Sequence, residues 1–309
     1  MMIGEEKTML EKWIFDKPHC DIKISELNIK TSAELEGFAN YTPAQLWYHY
    51  ELEKSLARKL MAASASQRKT LYTSLYDELF TKLPFHPQHQ KRNNAALRTS
   101  QIMTEMSFLR QHLSPETTFL EIGPGDCKLS LEVAKQAKQV YAIDVSDVMT
   151  KSLDAPGNFK LILSDGSSVP VPPNSIDVAY SNQLMEHLHP DDAVKQLRAV
   201  YASLKKGGRY ICITPHRFNG PNDVSRFFDE VATGFHLKEY TNIELNMLFK
   251  QAGFSSVHNP KKIGKRYINL PIWLSNLIES SISEFPYLLR KKLYRRMSRI
   301  INLRLIAVK

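Results

Sequence analysis

The chain has 309 residues, of which 43% are hydrophobic and 24% charged, with a formal net charge of +9. That composition is of a soluble globular protein long enough for one α/β domain of ordinary size plus additions. Cys20, Cys127 and Cys212 show no CxxC spacing, which argues against a disulfide framework or a zinc site and fits a reducing cytoplasm.

The N-terminal MMIGEEKTMLEKW has no basic region followed by a long apolar run, so no secretory signal is expected. No stretch reaches ~18 consecutive apolar residues, so no transmembrane helix is expected either. The excess positive charge is local: between Lys261 and Lys309 stand twelve basic residues against two acids, Glu279 and Glu284. A basic segment on a near-neutral chain points to a local anionic partner, and no nucleic acid partner is expected.

Residues 1–100 read as a helical extension. Leu52, Leu56 and Leu60 recur every fourth position, as do Leu71, Leu75 and Leu79, with Tyr72 and Tyr76 alongside. LPFHPQHQKRNN then reads as a loop. From Thr118 strands and helices alternate: TFLEIG, QVYAIDV, NFKLILSD, SIDVAYSN, RYICITP and FSSVHN as strands. LSLEVAKQA, DVMTKSLD, DDAVKQLRAVYASL and TNIELNMLFKQAG read as helices, the last with a capping box from Thr241 to Glu244. Short apolar strands alternating with helices predict a doubly wound, mostly parallel α/β sheet. Ligands of such sheets bind at the carboxyl ends of the strands.

The stretch FLEIGPGDCKLSLEVA is a strand, a tight turn and a helix. Gly123 and Gly125 permit close backbone approach, and the helix offers unpaired amides. The third glycine of a dinucleotide fingerprint is replaced by Lys128, so that fit is poor. Glu121 before the turn is awkward for an anionic pyrophosphate and suits a ligand carrying an ammonium group. Asp144 ends the second strand, positioned for a ribose diol; Asp165 and Gly166 end the third, positioned for an adenine edge; Ser181, Asn182 and Gln183 end the fourth. All would converge on one cleft.

Taken in order, EIGPGD, AIDVS, LSDGSSVPVPPNSIDVAYSNQLMEHL, LKKGGRYICITP and EYTNIELNMLFKQAGF resemble the class I S-adenosylmethionine-dependent methyltransferases. The similarity runs from about residue 101 to 258, plus a final strand in LRLIAVK, and is greatest to the small-molecule branch that includes ubiquinone-biosynthesis methyltransferases. It implies a Rossmann-like, seven-stranded sheet over 101–309 with S-adenosylmethionine as cofactor and a small-molecule acceptor. It also implies roles: Glu121, Gly123 and Gly125 at the methionine part, Asp144 on the ribose, Val145 against adenine, Asp165 and Gly166 at the adenine edge, and Ser181 and Asn182 near the sulfonium. Cys127 stands where the family often has a third small residue, with little effect expected.

Between Asn259 and the last strand lies an insertion, residues 259–302, where the family has a tight connection. Leu289, Leu293, Met297 and Ile300 form one helical stripe flanked by Arg290, Lys291, Arg295 and Arg299. Such a helix either packs on the domain with a solvated basic face or lies, through residues 261–300, on an anionic membrane surface. Cytoplasmic placement, with peripheral contact at the inner membrane, is the corresponding expectation.

Transfer to a hydroxyl needs a base, and His187, His216 and His236 are the candidates. His187 and His189 form an HxH pair, but no carboxylate is spaced to complete a metal site, so no metal is expected. The polar loop from Pro215 to Tyr240 is expected to form one wall of the acceptor pocket, with the N-terminal helices as a lid. Its polar residues suit a sugar hydroxyl; Phe218, Phe227, Phe228 and Phe235 would suit a flat quinone or phenol. A nicotinamide-dependent oxidoreductase and a cofactor-binding protein without transferase activity are the competing readings.

Overall fold

In the computed structural model, residues 38, 41–88, 94–146, 154–264 and 266–309 are described. The expected helix in DVMTKSLD falls almost wholly outside them, as does Cys20.

Two helices open the described chain, α1 (Pro43–Ala62) and α2 (Ala65–Lys82). Both begin with a full capping box, Thr42 with Gln45 and Ser64 with Gln67, so their first amides are satisfied by side chains. The leucine repeat is the buried face: Leu52, Leu56, Leu60, Leu75 and Leu79 enter the same core as Leu120, Ile122 and Ile143 of the sheet. Helix α3 (Ala95–Leu109) follows, and its Met106, Phe108 and Leu109 join the core on the sheet's other face.

The strands are β1 (Thr118–Ile122), β2 (Gln139–Asp144), β3 (Phe159–Leu163), β4 (Ile176–Asn182), β5 (Leu204–Ile213), β6 (Ser256–Ile263), β7 (Arg266–Pro271) and β8 (Arg304–Val308). They form one sheet in the order β3-β2-β1-β4-β5-β8-β6-β7. Pairs among β1 to β5 are parallel, and β8 pairs antiparallel with both β5 and β6. Helices α4 (Lys128–Ala134), α5 (Pro190–Ser203) and α6 (Asn242–Ala252) connect them. The capping box of α6 forms as expected, with Gly253 ending the helix at φ +109°. β1 lies between β2 and β4, so the chain reverses its direction of travel across the sheet there, and a crevice opens at the carboxyl ends.

Eight strands stand where seven were expected. β6 runs past Asn259 to Ile263 and turns at Gly264, φ +62°, into the antiparallel edge strand β7. Pro260 made that continuation unreadable, because proline normally interrupts a strand. Here β8 pairs with β6 only over Ser256–His258, so Pro260 lies beyond it and costs no ladder bond on that side.

The insertion continues as α7 (Ile272–Ser283) and α8 (Tyr287–Ile301). Leu293, Met297 and Ile300 pack against Phe218, Ile282, Tyr294 and Ile301, so most of the expected lipid-facing stripe is used inside the protein. Buried polar bonds also dock it. Glu279 of α7 accepts from the amides of Asn242 (3.0 Å) and Ile243 (2.9 Å), the otherwise unpaired start of α6. Asn259 Nδ2 donates to Ser275 Oγ at 3.1 Å.

Candidate functional site

A cavity of about 620 Å³ opens at the carboxyl ends of β1, β2 and β4 under helix α2. The β1–α4 turn forms its floor. Gly123 (φ +69°) and Gly125 (φ +59°) take the left-handed backbone that a side chain disfavours. A Cβ on Gly123 would lie 3.1 Å from Leu184. Cys127 also sits at φ +55°, which accounts for a preference for a small residue there; it is buried, and burial pushes its thiol up to about 12.

Asp144 stitches two strand ends together. Its Oδ1 accepts from the Val145 amide at 2.7 Å, and its Oδ2 accepts from the Gly125 amide at 3.1 Å. Asp126 beside it receives Arg98 in a bidentate pair at 2.8 and 2.6 Å. That pair holds the Asp126 carboxyl below the usual range against the opposing effect of burial. Asn182 lines the cavity while its Nδ2 donates to Glu105 of α3 at 3.2 Å. The roof is Tyr72, Tyr76, Asp77 and Phe80 of α2. Tyr72 is fixed there by donating to Asp192 at 3.0 Å and accepting from the His189 amide at 2.9 Å.

Of the expected cofactor residues, Gly123, Gly125, Asp144, Val145, Gly166 and Asn182 line this cavity together. Three others are placed elsewhere. Glu121 points to the opposite face of β1 from Leu120 and Ile122, where it is buried and accepts from Ser130 Oγ at 2.5 Å. Burial there pushes its carboxyl up to about 8, against the hydrogen bond from Ser130. Asp165 folds back on its own turn, accepting from the amides of Ser167 (3.0 Å) and Ser168 (2.8 Å). Ser181 is fully buried against Tyr210 Oη at 2.7 Å. The strand's period of two hides such side chains from a reading that sees only the strand end.

The histidines separate in the same way. His187 lines the cavity, with Nδ1 at 2.9 Å from the Phe235 carbonyl oxygen, and burial holds its imidazole down at about 3. His236 lies behind it, ring centroids 4.9 Å apart. Burial alone would lower His236, but the hydrogen bond to Glu239 at 2.8 Å and the carboxylates of Asp223 and Glu186 push it up to about 9. His216 is elsewhere, 2.8 Å from Glu279 of the insertion and with its ring 4.6 Å from that of Tyr294 at a tilt of 36°, a packing position.

The loop from Pro215 to Tyr240 does not line the cavity. Its Val224 and Phe227 pack on Leu46 and Tyr50 of α1, and Phe235 sits behind His187 in the main core. Helix α2 lines the cavity instead. Arg98, Tyr76, Phe80, Gln101 and Leu184 also line the cavity and were not singled out from sequence. Tyr76 reads simply as part of a periodic helix, and only the chain's folding back over the strand ends brings these residues to the site.

A family profile described as "Methyltransferase domain" matches residues 120–212. An uncharacterized methyltransferase of Geobacillus sp. (strain WCH70) is 30% identical over 153 residues, covering 46% of this chain and 71% of that protein. Phosphoethanolamine N-methyltransferase 1 of Triticum aestivum is 31% identical over 116 residues, 35% of this chain and 23% of that protein. Among solved structures, a SAM-dependent methyltransferase from Aquifex aeolicus aligns at 19% identity and TM-score 0.40 over 54% of this chain and 93% of that one.

The cavity suits the cofactor that this family uses. Asp77 and Asp144 offer carboxylates to a cationic ligand, Asp126 being paired with Arg98, and a Cβ on Gly123 or Gly166 would press on Leu184 or Tyr72. The protein belongs to the class I S-adenosylmethionine-dependent methyltransferases.

Proposed function

We propose that the chain transfers the methyl group to a hydroxyl of a small, uncharged polar acceptor, of the sugar or secondary-metabolite kind. The observation that carries this reading is His187: it lines the cavity with Nδ1 committed to a carbonyl oxygen, which leaves Nε2 as a lone-pair acceptor for a hydroxyl proton. S-adenosylmethionine supplies an already activated methyl group, so the residues here chiefly bind, align and exclude water. Asp144 would hold the ribose diol, Val145 and Gly166 the adenine, and the Gly123–Gly125 turn the methionine part. Helix α2 would act as the lid, and 1–100 as the extension that carries it.

A second reading, an amine acceptor, draws support from Tyr76, Asp77 and Phe80, which could surround an ammonium group. A phosphorylated amine fits less well: Arg98 is the one guanidinium among the described lining residues, and it is paired with Asp126. Incubating the protein with methyl-labelled S-adenosylmethionine and a panel of sugars, phenols, phosphoethanolamine and simple amines separates these readings. Label in an alkali-stable ether supports the first. Label only in the amines contradicts it.

We also infer that the acceptor is reached at an anionic membrane surface. Trp273, Leu277, Phe285 and Leu288 of the insertion are exposed, beside exposed Lys292, Arg295, Arg296 and Arg299. No helix among the described residues is long and apolar enough to cross a membrane, so contact would be peripheral.

A further inference from the structure

Glu186 follows β4 in a short turn and is completely buried. Its Oε2 accepts from Thr214 Oγ1 at 2.7 Å. Its Oε1 is buried with no hydrogen-bond partner among the described residues. A bare carboxylate oxygen in a protein interior is costly unless something compensates it.

Two imidazoles face it. His187 Nε2 lies 4.0 Å from Glu186 Oε1, and its other nitrogen is held by the Phe235 carbonyl oxygen. His236 is held through Nδ1 by Glu239, leaving Nε2 as its uncommitted nitrogen. Glu239 is itself pinned, accepting from the amide of Asn222 at 2.6 Å and from its Nδ2 at 3.1 Å. One ligand atom from each of Glu186, His187 and His236 lies within 4.8 Å of the others. Both rings are therefore oriented from behind through Nδ1, one by a carbonyl and one by a carboxylate, as metal-ligating histidines are.

A second cluster makes a useful contrast. His49, Glu53 and His86 are equally close, but both Glu53 oxygens are occupied, Oε1 by His49 at 2.8 Å and Oε2 by the Phe235 amide at 3.0 Å. That cluster buttresses the Phe235 segment and has no oxygen to spare.

We propose that Glu186, His187 and His236 bind a divalent transition-metal ion. Two imidazoles and one carboxylate suit zinc or ferrous iron, with at least one position open. Ligands ~2.0–2.2 Å from such an ion in tetrahedral array stand about 3.4 Å apart. The 4.0 Å between His187 Nε2 and Glu186 Oε1, and the spacing of up to 4.8 Å within the set, would shorten toward that value through side-chain rotation on binding. Because His187 lines the cavity, the open position faces it. The ion's role rests on the reading of a hydroxyl acceptor and would replace direct proton transfer to His187, whose Nε2 the ion would occupy: an acceptor oxygen at the open position would lose its proton to water more readily, and the methyl carbon would then pass from sulfur to that oxygen. Ion binding itself does not depend on that reading. The HxH spacing suggests no metal site because no carboxylate completes it, whereas the fold brings His187 together with the adjacent Glu186 and a distant loop histidine.

The test uses the full chain, stripped with chelator and titrated with zinc(II) by calorimetry. One equivalent should bind, and cobalt(II) in its place should give visible d–d bands of a low-coordinate site. Glu186→Gln and His236→Gln should each weaken zinc binding at least tenfold while retaining the wild-type circular dichroism spectrum and S-adenosylhomocysteine binding. His258→Gln on β6 should bind zinc as the wild type does. No saturable zinc binding and no cobalt spectrum in the wild type would overturn the proposal, as would unchanged affinity in both variants. A protein that binds zinc at this site but methylates only amines would refute the hydroxyl reading and leave the metal site standing.

Discussion

Gly166 is where a single methyl group should do most damage near the site. It sits at φ +83°, and an added Cβ would lie 2.8 Å from Cδ2 and 3.1 Å from Cγ of Tyr72. Tyr72 cannot give way easily, since its hydroxyl is bonded to Asp192 and to the His189 amide. Asp192 is in turn held by Arg68 at 2.6 and 2.9 Å. Two costs therefore add in Gly166→Ala. The left-handed backbone costs ~1–2 kcal/mol for an L residue, and the overpacking costs ~1–3 kcal/mol. Reduced freedom of the unfolded chain offsets these by ~0.4–1 kcal/mol. The net loss of stability should be about 2–4 kcal/mol in urea unfolding followed by circular dichroism. Gly157→Ala is the control, because nothing lies within 4 Å of its Cβ and its φ is unremarkable. A double-mutant cycle isolates the contact: in a Tyr72→Ala background, Gly166→Ala should cost only about 1 kcal/mol, the backbone part. Equal costs in both backgrounds would refute the assignment of the α2 roof to this position.

Glu121 should make stability depend on pH. Its carboxyl titrates near 4.5 when unfolded and about 8 when folded, so the folded state keeps a proton that the unfolded state has lost. That contribution is complete below 4.5 and is lost as pH rises through 8, by up to ~1.4 kcal/mol per pH unit. Urea unfolding of the wild type minus that of Glu121→Gln should fall from pH 5 to 8; parallel profiles would contradict the burial argument. For the membrane, replacing Arg290, Lys291, Lys292, Arg295 and Arg296 with glutamine should release the protein from anionic vesicles, each cation having contributed ~1 kcal/mol near the surface. Wild-type binding should fade between 0.1 and 1 M salt, where the Debye length falls from ~10 to ~3 Å. A wild type that ignores anionic vesicles at low salt would remove the membrane reading.

What the sequence makes legible here is what local chemistry dictates. The β1–α4 turn needs its glycines whatever surrounds it, and Thr241 with Glu244 starts α6 from four residues alone. Asp144 at a strand end reaches the crevice because β2 ends there. Side-chain direction is less legible. Glu121, Asp165 and Ser181 each stand at a strand end, yet bond to Ser130, a turn and Tyr210 respectively. Least legible are the partnerships across the chain. Arg98 with Asp126, His236 with His187, and Glu279 with the start of α6 join residues 28, 49 and 37 positions apart, and no periodicity carries them. The stripe on α8 was visible, but an amphipathic helix looks the same whether its apolar face meets lipid or Phe218.

The most direct test of the account is calorimetric titration of S-adenosylhomocysteine into the wild type and Asp144→Ala. The wild type should bind one equivalent. On the proposed placement the variant would lose two charge-assisted bonds to the ribose diol, about 3 kcal/mol in all, so it should bind more than 100-fold more weakly while remaining folded. Affinity unchanged by the substitution, or no binding by the wild type, would contradict the placement of the cofactor between the Gly123–Gly125 turn and Asp144.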